Sequence, residues 1–251
     1  MEKNKTKNIK VFSSICFVFV VIGTIFASAF STSTTTAETQ TCNVPSFSIY
    51  FVSTSKSQVE NESRTIGKDI MKNGGAGYVW QKENYFYVIS SAYENKNDAD
   101  LVSTQLKNNK IENEVFEVKF DSVNLACPNN TPESKSMLTT ALNSFHSTYQ
   151  NLFDLSVSLD TNIITETSTQ LEINSIHAKS DEIMKNFHIV YGDLKIEIIN
   201  ELENSLIDLN ESLGLLAQQQ KLDEKQTMLS LIRYCYIEIC EIYFNFLSTI
   251  Q

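Results

Sequence analysis

The chain has 251 residues, 42% of them hydrophobic, with 15 Phe and 10 Tyr against only 7 Gly and 3 Pro. That length suggests one or two domains, and the composition supplies buried cores while excluding a loop-rich or disordered protein. The formal net charge is −10, and residues 133–251 carry all of it, with 17 acidic against 7 basic side chains. An acidic body without a basic stripe lacks the field that holds a phosphate backbone, so no nucleic-acid partner is expected.

Lys3, Lys5, Lys7 and Lys10 precede an uncharged run, Val11 to Phe30. As a helix those residues span about 30 Å, the thickness of a bilayer core. The pattern predicts a cytoplasmic tail over 1–10, a transmembrane anchor over 11–30 and an extracytoplasmic body, by the positive-inside rule. The alternative is a signal peptide cleaved near Ala29, because Ala27-Ser28-Ala29 has the small-x-small form of a signal-peptidase site, and the product would then be secreted. Residues 31–45 are rich in Ser and Thr without apolar period and read as a flexible spacer.

Residues 46–121 form the next region. Ser46 to Thr54 alternates Phe47, Ile49 and Phe51 with polar neighbours and reads as a strand. Lys56 to Met71 is expected to be a helix with Val59, Ser63, Ile66 and Ile70 on its buried side, stopped by Asn73-Gly74-Gly75. Gly77 to Gln81 and Tyr85 to Tyr93 make a hairpin across the polar turn Lys82 to Asn84. A helix capped by Asn97 or Asp98 carries Ala99, Val102 and Leu106, and Val115 to Phe120 is the last strand. The fold class is therefore α+β. With right-handed crossovers, the order βαββαβ gives a four-stranded antiparallel sheet with both helices on one face and the other face open.

Of the five cysteines, Cys16 lies in the apolar run, and Cys235 and Cys240 are about 140° apart on one helix and cannot easily bridge. Cys42 and Cys127 bracket the sheet region in an oxidising compartment and are a candidate disulfide, worth roughly 4 kcal/mol by loop closure if the outer strands lie side by side. The alternative is two unpaired linker cysteines.

Residues 131–251 change to helical period throughout. Thr131-Pro132-Glu133 is a helix start, and Met137, Leu138, Ala141, Leu142, Phe145, Tyr149, Leu152 and Phe153 form one stripe. Breaks near 160–162, 192–193 and 218–222 leave four helices of roughly 25 residues, as in an all-α up-down bundle. The last helix carries Tyr234, Tyr236, Tyr243, Phe244, Phe246 and Leu247. That is more aromatic surface than one bundle face needs, which leaves plain core, a partner helix and a membrane surface open.

The phrase YFYVISSAYENKNDADLVSTQL, Tyr85 to Leu106, and GGAGYVW, Gly74 to Trp80, resemble the sporulation-related repeat, or SPOR, domain. The resemblance covers roughly residues 46 to 120 and implies a SPOR/ferredoxin-like sheet. Phe51 stands where that family often has a glutamine on the open sheet face, and Ser53 where it usually has glycine. Anchor, spacer, sheet domain and helical region together look like the membrane-anchored stage II sporulation protein B-like type. Members are mostly envelope proteins that bind peptidoglycan stripped of stem peptides at division or sporulation septa, and the resemblance implies that partner here.

Aromatic faces stack on sugar C–H faces while hydroxyls and amides bond to ring substituents. Alternation puts Tyr85, Tyr87 and Ile89 on the open face, joined by Phe51, Ser53 and Tyr78 or Trp80, and these are the candidate glycan contacts. A one-residue slip would exchange the two faces. No Gly-x-Ser-x-Gly elbow, phosphate loop, Cys-x-x-Cys or Glu-x-x-His pair is present, so neither an enzyme nor a bound cofactor or metal is expected. Two further classes stay open: an envelope scaffold recruiting a protein partner through the helical region, and a cell-wall hydrolase.

Overall fold

A computed structural model describes residues 40–219 and 225–250. The expected tail and anchor, and the spacer before residue 40, lie outside the described residues. Among the described residues no helix is long and apolar enough to cross a membrane.

In chain order the elements are β1 (Thr41–Val44), β2 (Phe47–Ser57), α1 (Glu60–Lys72), β3 (Tyr78–Lys82), β4 (Tyr85–Tyr93), α2 (Lys96–Asn108), β5 (Glu114–Phe120) and β6 (Val123–Ala126). They are followed by α3 (Pro132–Asp160), α4 (Glu166–Tyr191), α5 (Glu197–Gln218) and α6 (Lys225–Thr249). The molecule is α+β. Four strands form one antiparallel sheet in the order β3-β4-β2-β5, and β1 pairs with β6 in a separate antiparallel ribbon beside the β2–β5 ends.

Most elements end where local chemistry says they should. Thr131 caps α3 by accepting from the Ser134 N–H at 3.1 Å, with Pro132 at the first helical position. The β3–β4 hairpin turns on Glu83-Asn84, with Glu83 at φ 57°. The cap of α2 is Asn95, two or three residues earlier than expected, because its side chain accepts from the Asn97 N–H at 2.9 Å. Strand β2 runs on through Ser57, past the expected start of α1. It does so through an irregular register around Ser53, where the Ser90 hydroxyl donates to the Val52 carbonyl at 3.0 Å.

The expected buried stripe of α1 is only partly correct. Ser63 and Gly67 are buried, Ile70 is half-buried, and Val59 and Ile66 are exposed. The helix meets the start of β3 backbone to backbone. A Cβ at Gly67 would stand 2.4 Å from the Gly77 carbonyl oxygen. Small residues therefore form the buried side, and the larger apolar ones turn outward.

Helices α1 and α2 pack over β2 and β4 on the face that holds Val52 and Val88. The opposite face carries Phe47, Ile49, Phe51, Trp80 and Phe120, and α6 lies against it. Behind α6, α3 packs on α4 and α6, and α5 on α4 and α6. One continuous core runs from Phe51, Trp80 and Phe120 in the sheet to Leu138, Leu206 and Ile239 in the helices. Residues 46–121 and 131–251, expected as separate domains, thus share their interior within one packing unit.

Candidate functional site

The strand register brings the candidate sheet residues together. Tyr78 pairs with Ile89, Trp80 with Tyr87, Lys82 with Tyr85, Ser53 with Ile89, and Phe51 with Ala92 and Phe116. Phe51, Ser53, Tyr78, Trp80, Tyr85, Tyr87 and Ile89 therefore share one face, as the alternation implied.

That face is not open. Phe51, Ser53 and Ile89 are at most 1% exposed, Trp80 is at 3% and Tyr78 at 7%. The cover is α6. Phe244 meets the Trp80 ring at 6.1 Å and Phe120 at 6.2 Å, and Tyr234 meets Tyr78 at 4.8 Å. Phe47 is stacked between Phe120 at 4.5 Å and His146 of α3 at 4.2 Å. Each aromatic so covered contributes about 1.5–3 kcal/mol of burial, so the helix does not leave this face cheaply. The surplus aromatic stripe of α6 is also accounted for: one side packs on α3 and α5, the other on the sheet.

Polar groups close the seam. The Tyr78 hydroxyl donates to the Glu241 carboxylate. Burial raises the Glu241 pKa above the usual carboxylate range, and burial with the nearby Glu241 charge pushes the Tyr78 hydroxyl far up. His146 Nε2 lies 2.7 Å from Glu94, tying α3 to the loop after β4. The Ser53 hydroxyl is used internally, donating to the Ser55 carbonyl at 2.9 Å.

The hairpin end of the face is accessible. Tyr85 and Tyr87 are half-buried, and beside them lies Phe116, whose ring is 5.2 Å from Tyr87. Lys56 Nζ stands 4.2 Å from the Tyr85 ring centre and 4.9 Å from that of Tyr87, and Lys82 Nζ is 5.4 Å from Phe116. Hydrogen bonding with the Tyr87 hydroxyl holds the Lys56 ammonium above its ordinary pKa. The result is a small platform of three rings rimmed by two cations. Lys56, Lys82 and Phe116 were not among the residues expected from sequence. The alternation of Phe116, Val118 and Phe120 opposite Phe51, Ile49 and Phe47 was the available signal for Phe116. The sequence pattern places Lys56 in a helix, which in the structure starts four residues later.

The candidate disulfide pair is unbridged in this structure. Cys42 and Cys127 are brought near each other, since β1 and β6 pair and the Cys127 N–H donates to the Gln40 carbonyl at 2.8 Å, but both are free, buried thiols. Cys42 Sγ lies instead 3.2 Å from the Thr139 hydroxyl.

Among the described residues no group of three or more His, Cys, Asp or Glu side chains is placed to hold a metal ion. His188 lies against Glu203 at 2.6 Å and is exposed. A scan against family models, a search of curated proteins and a search of solved structures return no match to this chain.

Proposed function

We propose that this is a non-catalytic, membrane-anchored envelope protein of the SPOR type, with its body outside the membrane. In this reading it binds peptidoglycan glycan strands at the division or sporulation septum. The sheet is then a ferredoxin-like βαββαβ unit with a helical bundle docked on it, a description supported by the strand order β3-β4-β2-β5. The observation that carries the reading is the Tyr85–Tyr87–Phe116 platform with Lys56 and Lys82 at its rim. Rings supply stacking surfaces for sugars. Glycan from which stem peptides have been removed exposes a lactyl carboxylate on every second sugar, and the two ammonium groups are suited to receive it.

The test is co-sedimentation of residues 39–251 with purified sacculi before and after amidase removal of stem peptides. Retention rises after amidase, and Tyr87→Ala and Lys56→Ala each reduce it by about fivefold, the equivalent of roughly 1 kcal/mol. Retention unchanged in both variants would sink the site assignment.

A second reading is favoured by a specific observation: five of the seven expected contacts are buried, with α6 rings against Tyr78 and Trp80. On that reading the sheet is structural and the body is a scaffold for a protein partner. Absence of sedimentation under either condition supports it.

A further inference from the structure

Strand β3 is an edge strand, paired with β4 on one side and, among the described residues, with no strand on the other. Off that free edge lies a cleft of about 600 Å³ between α1 and α6, with Gly77, Tyr78 and Val79 along its floor. It is closed at one end, where the Ser230 hydroxyl donates to the Met71 carbonyl and the Arg233 guanidinium to the Gly74 carbonyl at 2.7 Å. Its two walls differ in charge. Asn61, Arg64, Thr65 and Lys68 recur at helical spacing along the α1 wall, which presents two cations and no acid. The α6 wall presents Tyr234 and Glu241.

These walls lie on opposite faces of the sheet, α1 with Val52 and Val88, α6 with Trp80. A strand added to β3 would point successive side chains alternately to the two faces, at about 3.3 Å per residue. The five residues of β3 give room for a peptide of about that length. The geometry points to this cleft as a docking site for an extended peptide that pairs with the free edge of β3, turning acidic side chains toward Arg64 and Lys68 and basic ones toward Glu241. Lys68 is exposed and has no hydrogen-bond or ion-pair partner among the described residues. Among the described residues Arg64 is held only by an exposed pair with Glu60 on its own helix at 2.5 Å, an interaction weak enough to be exchanged. The partner is thus defined by an alternating acidic–basic pattern, and the site is separate from the aromatic platform and independent of the glycan reading.

The experiment is an amide-shift titration of residues 39–251 with three capped hexapeptides. The first alternates Glu and Lys, the second has the same composition in two blocks, and the third is the alternating peptide N-methylated at every second residue. The alternating peptide produces saturable shifts centred on Tyr78 and Val79, and the other two bind at least tenfold more weakly. Lys68→Glu, a change on the exposed side of α1, weakens the alternating peptide by about tenfold. Equal binding of the block peptide would overturn the charge assignment, and equal binding of the N-methylated peptide would overturn strand addition. No saturable shift at millimolar peptide would overturn the site.

Discussion

Replacing Phe120 by Ala tests whether sheet and helices stand or fall together. The ring is 1% exposed and is stacked on Phe47 at 4.5 Å, with Tyr243 at 5.8 Å and Phe244 at 6.2 Å from α6. Removing a fully buried phenyl group costs about 3–5 kcal/mol, and the lost ring pairs put this site in the upper part of that range. With a urea dependence of roughly 2–3 kcal/mol per molar, the midpoint falls by roughly 1–2.5 M. Trp80, the single Trp of the chain, sits against Phe51 at 4.9 Å and Phe244, so its fluorescence reports the sheet–α6 seam. Far-UV circular dichroism reports mainly α3 to α6. If the core is shared, both probes shift by the same amount in the variant and remain coincident. A helical transition left in place while the fluorescence transition moves would refute the shared core.

Gly67→Ala drives a methyl group to 2.4 Å from the Gly77 carbonyl oxygen, so it destabilises residues 39–251 by about 1–3 kcal/mol, read from the same urea titration. Because the folded-state pKa of Glu241 is raised, the folded protein binds more protons than the unfolded one above the ordinary carboxylate range, and stability falls as pH rises from there through the raised value. Glu241→Gln flattens that part of the stability–pH curve, and an unaltered slope would show that its burial is not maintained. Burial raises the pKa of Cys127 and of Cys240, and pushes Cys235 up to about 12. Native alkylation of these three cysteines is therefore slow. Alkylation in denaturant without reductant labels Cys42 and Cys127 completely, and a bridged peptide by mass spectrometry would contradict the free-thiol pair.

Much of the architecture was legible because its signals are local. Thr131-Pro132, Asn73-Gly74 and the Glu83-Asn84 turn each fix an element boundary through groups within a few residues. The alternation within single strands was legible for a related reason, since Phe47, Ile49 and Phe51 could only lie together, but the pairing register, which is irregular around Ser53, was not. The short ribbon of β1 and β6 was missed. Four-residue strands such as Val123–Ala126 carry too little pattern to register, and their pairing depends on the β2–β5 ends having already met.

Whether the aromatic face looks outward could not be read from the strands at all, because an aromatic residue awaiting a sugar and one awaiting a helix obey the same alternation. The deciding residues lie more than 100 positions away in α6. Tyr234, Glu241 and Phe244 fall on the side of that helix turned to β3, Tyr236, Ile239 and Cys240 are buried in the interior with Tyr236 against Tyr149 of α3, and Tyr243 stacks on both Phe120 of the sheet and Phe145 of α3. A helix with one apolar stripe serves one layer. Here a second stripe is broken by an acid, and the acid is answered by Tyr78, an edge-strand hydroxyl 163 positions earlier. Beyond Trp80 toward the hairpin turn, α6 offers no further ring, and Tyr87 and Phe116 pass from burial to partial exposure with lysines in place of a helix. The accessible platform and the covered core are thus two ends of one surface, the first beside Lys56 and Lys82 and the second beneath Phe244 and Tyr234.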